Sequence, residues 1–174
     1  MIQFIQTPHP RFHIAIDASD KKGIGGVWFE KEGLSLFSTR LPRRHRPKHI
    51  HWKELFAVLY ALAKWSENWS NAKVIVFCDN EAVVGGLNKR TIRGAAIHPL
   101  RTLFLLAARR NIDVAAVWVP SKANLLADAL SRFDIATVSN LVGPQRANFL
   151  NHRQPSVIMS KISQLMQNST STTG

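Results

Sequence analysis

Two short apolar runs, each closing on an aspartate, constrain the fold of this chain more than any other feature. Phe12-His13-Ile14-Ala15-Ile16 leads into Asp17, and Val74-Ile75-Val76-Phe77-Cys78 leads into Asp79. The second run is apolar throughout, the pattern of a strand covered on both faces. An acid at the end of such a strand lies where loops converge and where ligands of α/β sheets gather. Two more acids stand in equally unusual places: Glu54 near the start of a long apolar helix pattern, and Asp128 inside Leu125-Leu126-Ala127-Asp128-Ala129-Leu130. The chain has 11 acidic residues against 23 basic ones. Four acids in half-buried settings therefore call for something cationic to offset their desolvation.

The elements around these acids follow from pattern and punctuation. Residues 12–18 read as a strand, 23–29 as a second after a glycine-rich turn, and 34–38 as a third. Their close spacing predicts an antiparallel meander. Arg40 to Lys48 is a basic loop holding Pro42 and Pro47. Residues 51–69 are apolar on nearly every side, which predicts a core helix. A strand over 73–78, a helix over 81–89, a break at Gly94, a helix over 99–110, a strand over 114–119 and a short helix over 124–132 complete the order. The expectation is an α/β fold in which the meander is extended by parallel strands through helical crossovers. Residues 1–11 form an extended lead-in, 12–134 the domain, and 135–174 a C-terminal extension that is partly disordered. Within it 158–166 forms a brief helix, and 168–174 is low-complexity.

Composition narrows the function classes. A hydrophobic fraction of 45% with 20% charged residues fits a globular chain. No apolar stretch is long enough to span a bilayer, and the start lacks the layout of a secretion signal, so an intracellular, non-membrane protein is expected. The single cysteine, Cys78, cannot form an internal disulfide, which favours a reducing compartment. Its role is that of a small buried hydrophobe rather than a nucleophile. The net charge of +12 predicts attraction to a polyanion, nucleic acid first. Arg40, Arg43, Arg44, Arg46 and Lys48 are the densest basic run, and Lys89, Arg90 and Arg93 a second cluster; both are candidates to track phosphates. His45, His49 and His51 have no cysteine nearby, which argues against zinc, and His49 and His51 are expected to pack and hydrogen-bond at the helix start.

Taken singly, each acid has an ordinary explanation. Glu54 fits a first-turn acid, Asp79 with Asn80 a helix cap, Asp17 a turn residue and Asp128 a solvated helix position. Taken together, Asp17 and Asp79 end strands that lie side by side, and two adjacent carboxylates repel unless a cation bridges them. Magnesium ions roughly 3.5–4 Å apart, held by such acids, activate a water and stabilise the leaving oxygen of a phosphodiester.

Six motifs in order carry a resemblance. They are Asp17-Ala18-Ser19, Gly23-Ile24-Gly25-Gly26-Val27-Trp28, His51-Trp52-Lys53-Glu54-Leu55, Phe77-Cys78-Asp79-Asn80, Trp118-Val119-Pro120-Ser121-Lys122-Ala123-Asn124 and Ala127-Asp128-Ala129-Leu130-Ser131-Arg132. From about Phe12 to Phe133 the chain resembles the ribonuclease H domain of retroelement reverse transcriptases, in the wording of DIRS-like and gypsy-like retrotransposons. The resemblance implies a five-stranded mixed sheet, its first three strands antiparallel, with helices on both faces. It also implies endonucleolytic hydrolysis of the RNA strand of RNA:DNA hybrids with two magnesium ions, manganese able to substitute. Asp17 matches the ligand shared by both ions, Glu54 and Asp79 the acids near the attacking water, and Asp128 the fourth acid. Ser19, Arg43, Arg44, Arg46, Lys48, Asn80, Lys89, Arg90, Arg93 and Lys122 are the expected nucleic-acid contacts. A polymerase domain of the same polyprotein is the expected protein partner. One departure stands out: many relatives carry a histidine in the loop before the last helix, where this chain has Lys122, so a slow enzyme is expected. The alternatives are a catalytically silent nucleic-acid-binding module of the same fold, or another nuclease of the superfamily, of resolvase or transposase type.

Overall fold

The computed structural model describes residues 9–148 and 157–170. The predicted opening strand over 12–18 becomes β1 (Arg11–Ala18), which pairs antiparallel with β2 (Gly23–Glu30), itself antiparallel to β3 (Gly33–Arg40). The predicted lead-in 1–11 falls mostly outside the described residues, and Arg11 already belongs to β1.

The run over Val74 to Cys78 becomes β4 (Ala72–Cys78), parallel to β1, and β5 (Ile112–Trp118) is parallel to β4. The sheet order is β3-β2-β1-β4-β5. Strands β1 and β4 are therefore interior neighbours, and their C-terminal ends set Asp17 and Asp79 side by side, as predicted.

Alternation along β1 divides the molecule into two apolar layers. Ile14, Ile16 and Ala18 join a cluster formed with α1 (Ile50–Trp65), α2 (Glu81–Lys89) and α3 (Ile97–Arg109). Ala15 points the other way, into a smaller cluster with α4 (Leu125–Ser131). Helix α1 is buried at every position from Trp52 to Ala63, as its all-round apolar pattern requires. It ends at Trp65 rather than near Trp69. A 3-10 turn over Ser66–Asn68 follows, and Trp69 is drawn out of the helix into an aromatic cluster with Phe12, Trp28 and Trp65.

Close approach between α4 and the sheet depends on Gly25, the partner of Asp17 in the β1–β2 ladder. A Cβ at Gly25 would lie 2.5 Å from the Ser131 nitrogen and 2.7 Å from the Ala127 carbonyl oxygen. Only glycine lets this helix sit on the strand. On the opposite margin the edge strand β5 is capped by a side chain. Asn88 of α2 donates to the Ala116 carbonyl at 2.9 Å and accepts from the Ala116 nitrogen at 2.8 Å.

Beyond Asp134 the chain keeps regular structure. Asp134 caps α5 (Ile135–Val142) by accepting from Thr137, and α6 (Pro144–Ala147) follows. Val138 and Ala147 are buried in the cluster of Ala15 and Val27. The brief helix expected over 158–166 is longer, α7 (Val157–Thr170), and buries Ile162 in the cluster that contains α1 and α3. Of the stretch 168–174 expected to be disordered, 168–170 continue this helix and 171–174 lie outside the described residues. Packing supplies what polar composition alone does not. Among the described residues no helix is long and apolar enough to cross a membrane.

Candidate active site

The four predicted acids reach one cleft of about 860 Å³, which Asp17, Glu54, Asp79 and Asp128 all line. Each enters from a different place: Asp17 from the C-terminal end of β1, Glu54 from the start of α1, Asp79 from the residue after β4, and Asp128 from α4. Asp17, Glu54 and Asp79 are the tight group, each offering one carboxylate oxygen within 4.8 Å of the others. Asp128 shares the cleft without belonging to that trio.

Neutral donors hold the trio. The Ser131 hydroxyl, on α4, donates to Asp17 Oδ2. The Ala18 N–H reaches Glu54 Oε1 at 3.3 Å, and the Cys78 thiol faces Glu54 Oε2 at 3.8 Å. Ser121 donates to Asp79 Oδ2 at 2.8 Å, and the Trp118 indole N–H donates to the Asp79 carbonyl at 3.2 Å. No ion pair reaches these three acids among the described residues. The consequence is electrostatic. Burial, with the charges of Asp128 and Asp79 adding to it against the Ser131 hydrogen bond, pushes the Asp17 carboxyl up from 3.8 to about 7. Burial and the Asp17 charge hold Glu54 well above the usual carboxylate range. The same burial, with the Glu54 charge adding, pushes the Cys78 thiol up, so it remains a protonated donor.

The donor set therefore fits a hard divalent cation. It is made of carboxylate oxygens only, it is crowded enough that the bare acids cannot all ionise freely, and among the described residues no ion pair reaches it. An RNase H-like fold with an acidic cluster of this kind is compatible with divalent-metal binding.

Asp128 is different: 39% of its side chain is exposed, and its Oδ1 is held by Arg132 Nε at 2.8 Å. Ser131 and Arg132 belong to the motif Ala127-Asp128-Ala129-Leu130-Ser131-Arg132, which by itself assigns neither a role. Their spacing from Asp128, three and four residues along α4, is the signal that puts all three on one helical face.

The predicted nucleic-acid contacts divide into two groups. Asn80 and Lys122 line the acid cleft, Asn80 spending its Oδ1 as the cap of α2 through the Val83 nitrogen at 3.2 Å. Ser19 also lines it but is only 7% exposed. Its hydroxyl closes the β1–β2 turn, accepting from Lys22 and Gly23 and donating to the Ser131 carbonyl. That turn has a second anchor the sequence did not reveal: Lys53, 1% exposed, donates to the Asp20 carbonyl at 2.5 Å and pairs with its carboxylate at 3.2 Å.

The remaining basic residues lie outside the acid cleft. Arg43, Arg44, Arg46 and Lys48 are exposed ahead of α1, where Arg44 bonds Ser163 of α7 at 2.6 Å and Arg46 bonds the Leu41 carbonyl. Burial beside Arg44 and Lys48 holds His45 down near 4, so it stays neutral against the Trp52 ring. Lys89, Arg90 and Arg93 are exposed around the end of α2. Arg90 is bound to Asp113 and covers the Phe104 ring at 5.2 Å.

Three comparisons with known proteins bear on this arrangement. The family model of the RNase H-like domain found in reverse transcriptase matches residues 7–101, which include Asp17, Glu54 and Asp79. The N-terminal RNase H domain of a Mycobacterium tuberculosis protein is 17% identical, with a TM-score of 0.57, covering 71% of this chain and 97% of its own. RNase H1 from Halobacterium salinarum is 20% identical, with a TM-score of 0.54, covering 71% and 98%. LC11-RNase H1, solved in complex with an RNA/DNA hybrid, is 18% identical, with a TM-score of 0.53, covering 68% and 92%. No curated protein matches the chain. The structural neighbours share the fold, the family model spans more than half of the sequence, and Asp17, Glu54 and Asp79 lie within the matched segment while Asp128 lies beyond it: the chain belongs to the family of RNase H-like domains found in reverse transcriptases.

Proposed function

We propose that this chain is a metal-dependent endonuclease that hydrolyses the RNA strand of RNA:DNA hybrids, as part of a retrotransposon-type reverse transcription machinery inside the cell. The observation that carries the reading is the convergence of Asp17, Glu54 and Asp79 within 4.8 Å, with Asp128 in the same cleft. When bound, a pair of magnesium ions, or manganese in their place, supplies a water of lowered pKa and neutralises charge on the leaving oxygen.

The chain's own residues do the rest. Asp17, Glu54 and Asp79 would hold the ions, with Asp128 in the same cleft as a further ligand. Ser131, Ala18 and Ser121 each fix one carboxylate oxygen, which orients the other for a ligand. Lys122, on the lip of the cleft, meets a phosphate as a point charge. The exposed arginines ahead of α1 and around the end of α2 track the duplex backbone. Selection of a hybrid rests on backbone shape and 2′-hydroxyls rather than on base edges. LC11-RNase H1, which shares the fold, was solved with such a hybrid. A polymerase domain of the same polyprotein is the partner that this reading supplies.

The test is hydrolysis of an end-labelled hybrid with magnesium, with EDTA, and by Asp79→Asn. Cutting that requires the metal and vanishes in the variant, whose circular dichroism is unchanged, supports the reading; equal cutting by parent and variant ends it. A second reading is favoured by Lys122 standing where many relatives have a histidine: a module that binds hybrids without cutting them. It predicts metal-independent binding and no turnover in the same assay.

A further inference from the structure

The four acids are not held alike. Asp17, Glu54 and Asp79 accept hydrogen bonds from neutral groups, while Asp128 accepts from the guanidinium of Arg132 at 2.8 Å. Among the described residues, Arg132 and Lys122 are the only basic ones that line the cleft. We infer that Arg132 is a built-in counter-ion for Asp128, a positioning residue that holds this carboxylate while the cleft lacks a divalent ion, yields it when one arrives, and then turns its guanidinium to the phosphodiester. The inference rests on the nuclease reading and assigns within that site a residue the reading leaves without a role.

Three observations carry it. The pair is easily broken: Asp128 is 39% exposed, Arg132 is 59% exposed, and the two are one turn apart on a helix. An exposed pair of this kind is worth less than about a factor of three in an equilibrium. A divalent ion at the same oxygen, with twice the charge and no side-chain order to impose, displaces it readily. Second, α4 is anchored on both sides of the pair. Gly25 admits its backbone against β2, the Ser38 hydroxyl bonds the Leu130 carbonyl at 2.5 Å, and the Ser131 hydroxyl reaches Asp17. Once released from Asp128, Arg132 therefore stays over the cleft, and only its side chain moves. Third, the planar fork of a guanidinium suits a phosphate as well as a carboxylate. A cation that gives up one acid to a metal is then free for the anion the metal attracts.

The inference has opposite signs on two ligands, which a merely structural role does not produce. The full chain is titrated with Mn2+ by calorimetry, and hybrid binding is measured separately by anisotropy in EDTA. Arg132→Gln is expected to bind the weaker Mn2+ ion about three- to tenfold more tightly, because a nearby positive charge is gone. The same variant is expected to bind the hybrid about three- to tenfold less well without metal. Arg132→Lys keeps the charge and stays within about twofold of the parent for Mn2+. It also provides the test should the glutamine variant not fold. Asp128→Asn removes the weaker ion in both backgrounds. Unchanged or weakened Mn2+ binding in Arg132→Gln overturns the inference, as does Arg132→Lys tightening Mn2+ as the glutamine does. If the parent itself takes up no Mn2+ and cuts no hybrid, the nuclease reading falls first and takes this inference with it. If the parent does both, a missing response in the Arg132 variants overturns this inference alone.

Discussion

Asp17 and Asp128 face the same cleft 111 positions apart in the chain and live under opposite regimes. Asp17 lies near the end of an interior strand, is 6% exposed, and has the neutral Ser131 hydroxyl as its hydrogen-bond donor, with burial and the nearby acids outweighing the Arg132 charge. Asp128 rides on a short surface helix, 39% exposed, with its own arginine one turn away. The buried acid is left with a charge problem that only an outside cation solves; the exposed one solves it within the chain. The trio is thus built to need a ligand, and the fourth acid is built to wait for one.

The largest effect that sharpens this contrast is on turnover. Asp17→Asn is expected to lower hybrid cleavage by about a thousandfold or more, and Asp128→Asn by only about ten- to a hundredfold. Single-turnover assays in magnesium check the order, and equal losses would erase the difference between the two acids. Next comes stability without metal. The Asp17 carboxyl is raised from 3.8 to about 7 in the folded chain, so the folded state binds the proton more tightly than the unfolded chain does. The associated stability is fully present below pH 4 and is lost as pH rises through 7. Melting in EDTA is expected to fall by on the order of 5–10 °C over that window relative to Asp17→Asn, and magnesium at pH 8 should restore it. A flat difference between the two proteins would mean that Asp17 feels no such burden.

Ser131→Ala removes the donor that orients Asp17 and should weaken divalent-ion binding about tenfold, with cleavage falling in step. Calorimetry reads this directly, and no change would show that the hydroxyl serves only the Asp128 carbonyl, its other acceptor at 2.8 Å. The smallest expected effect lies outside the cleft. Replacing Lys48 with Gln should reduce the salt slope of hybrid binding by about one unit and leave cleavage at saturation unchanged.

The half of the site that lies on strands was legible in the sequence. An apolar run stopping on an acid needs no tertiary knowledge to place, and Asp17 and Asp79 lie at the ends of adjacent strands as their runs foretold. Glu54 followed, because a helix apolar on every side must be buried. The roles of Ser131 and Arg132 were not legible, since they depend on how α4 is set down, and Gly25 on another strand decides that. Arg44 and Arg90 looked like free cations in a charge run. Ser163 on α7 and Asp113 on β5, both distant in sequence, engage them instead. Helices α5 and α6 escaped notice because polar residues accumulate beyond Asp134, and the burial of Val138 and Ala147 comes from β1, β2 and α4, all distant from their own local pattern.

Asn88 has a consequence for how copies of this chain coexist. By occupying both backbone groups of Ala116, its amide stands in for one residue of a sixth strand, so the margin of the sheet at β5 offers no continuous ladder to a neighbour. A single carboxamide thereby discourages edge-to-edge stacking where many such chains would be crowded together, and Asn88→Ala would turn a closed border into an open seam.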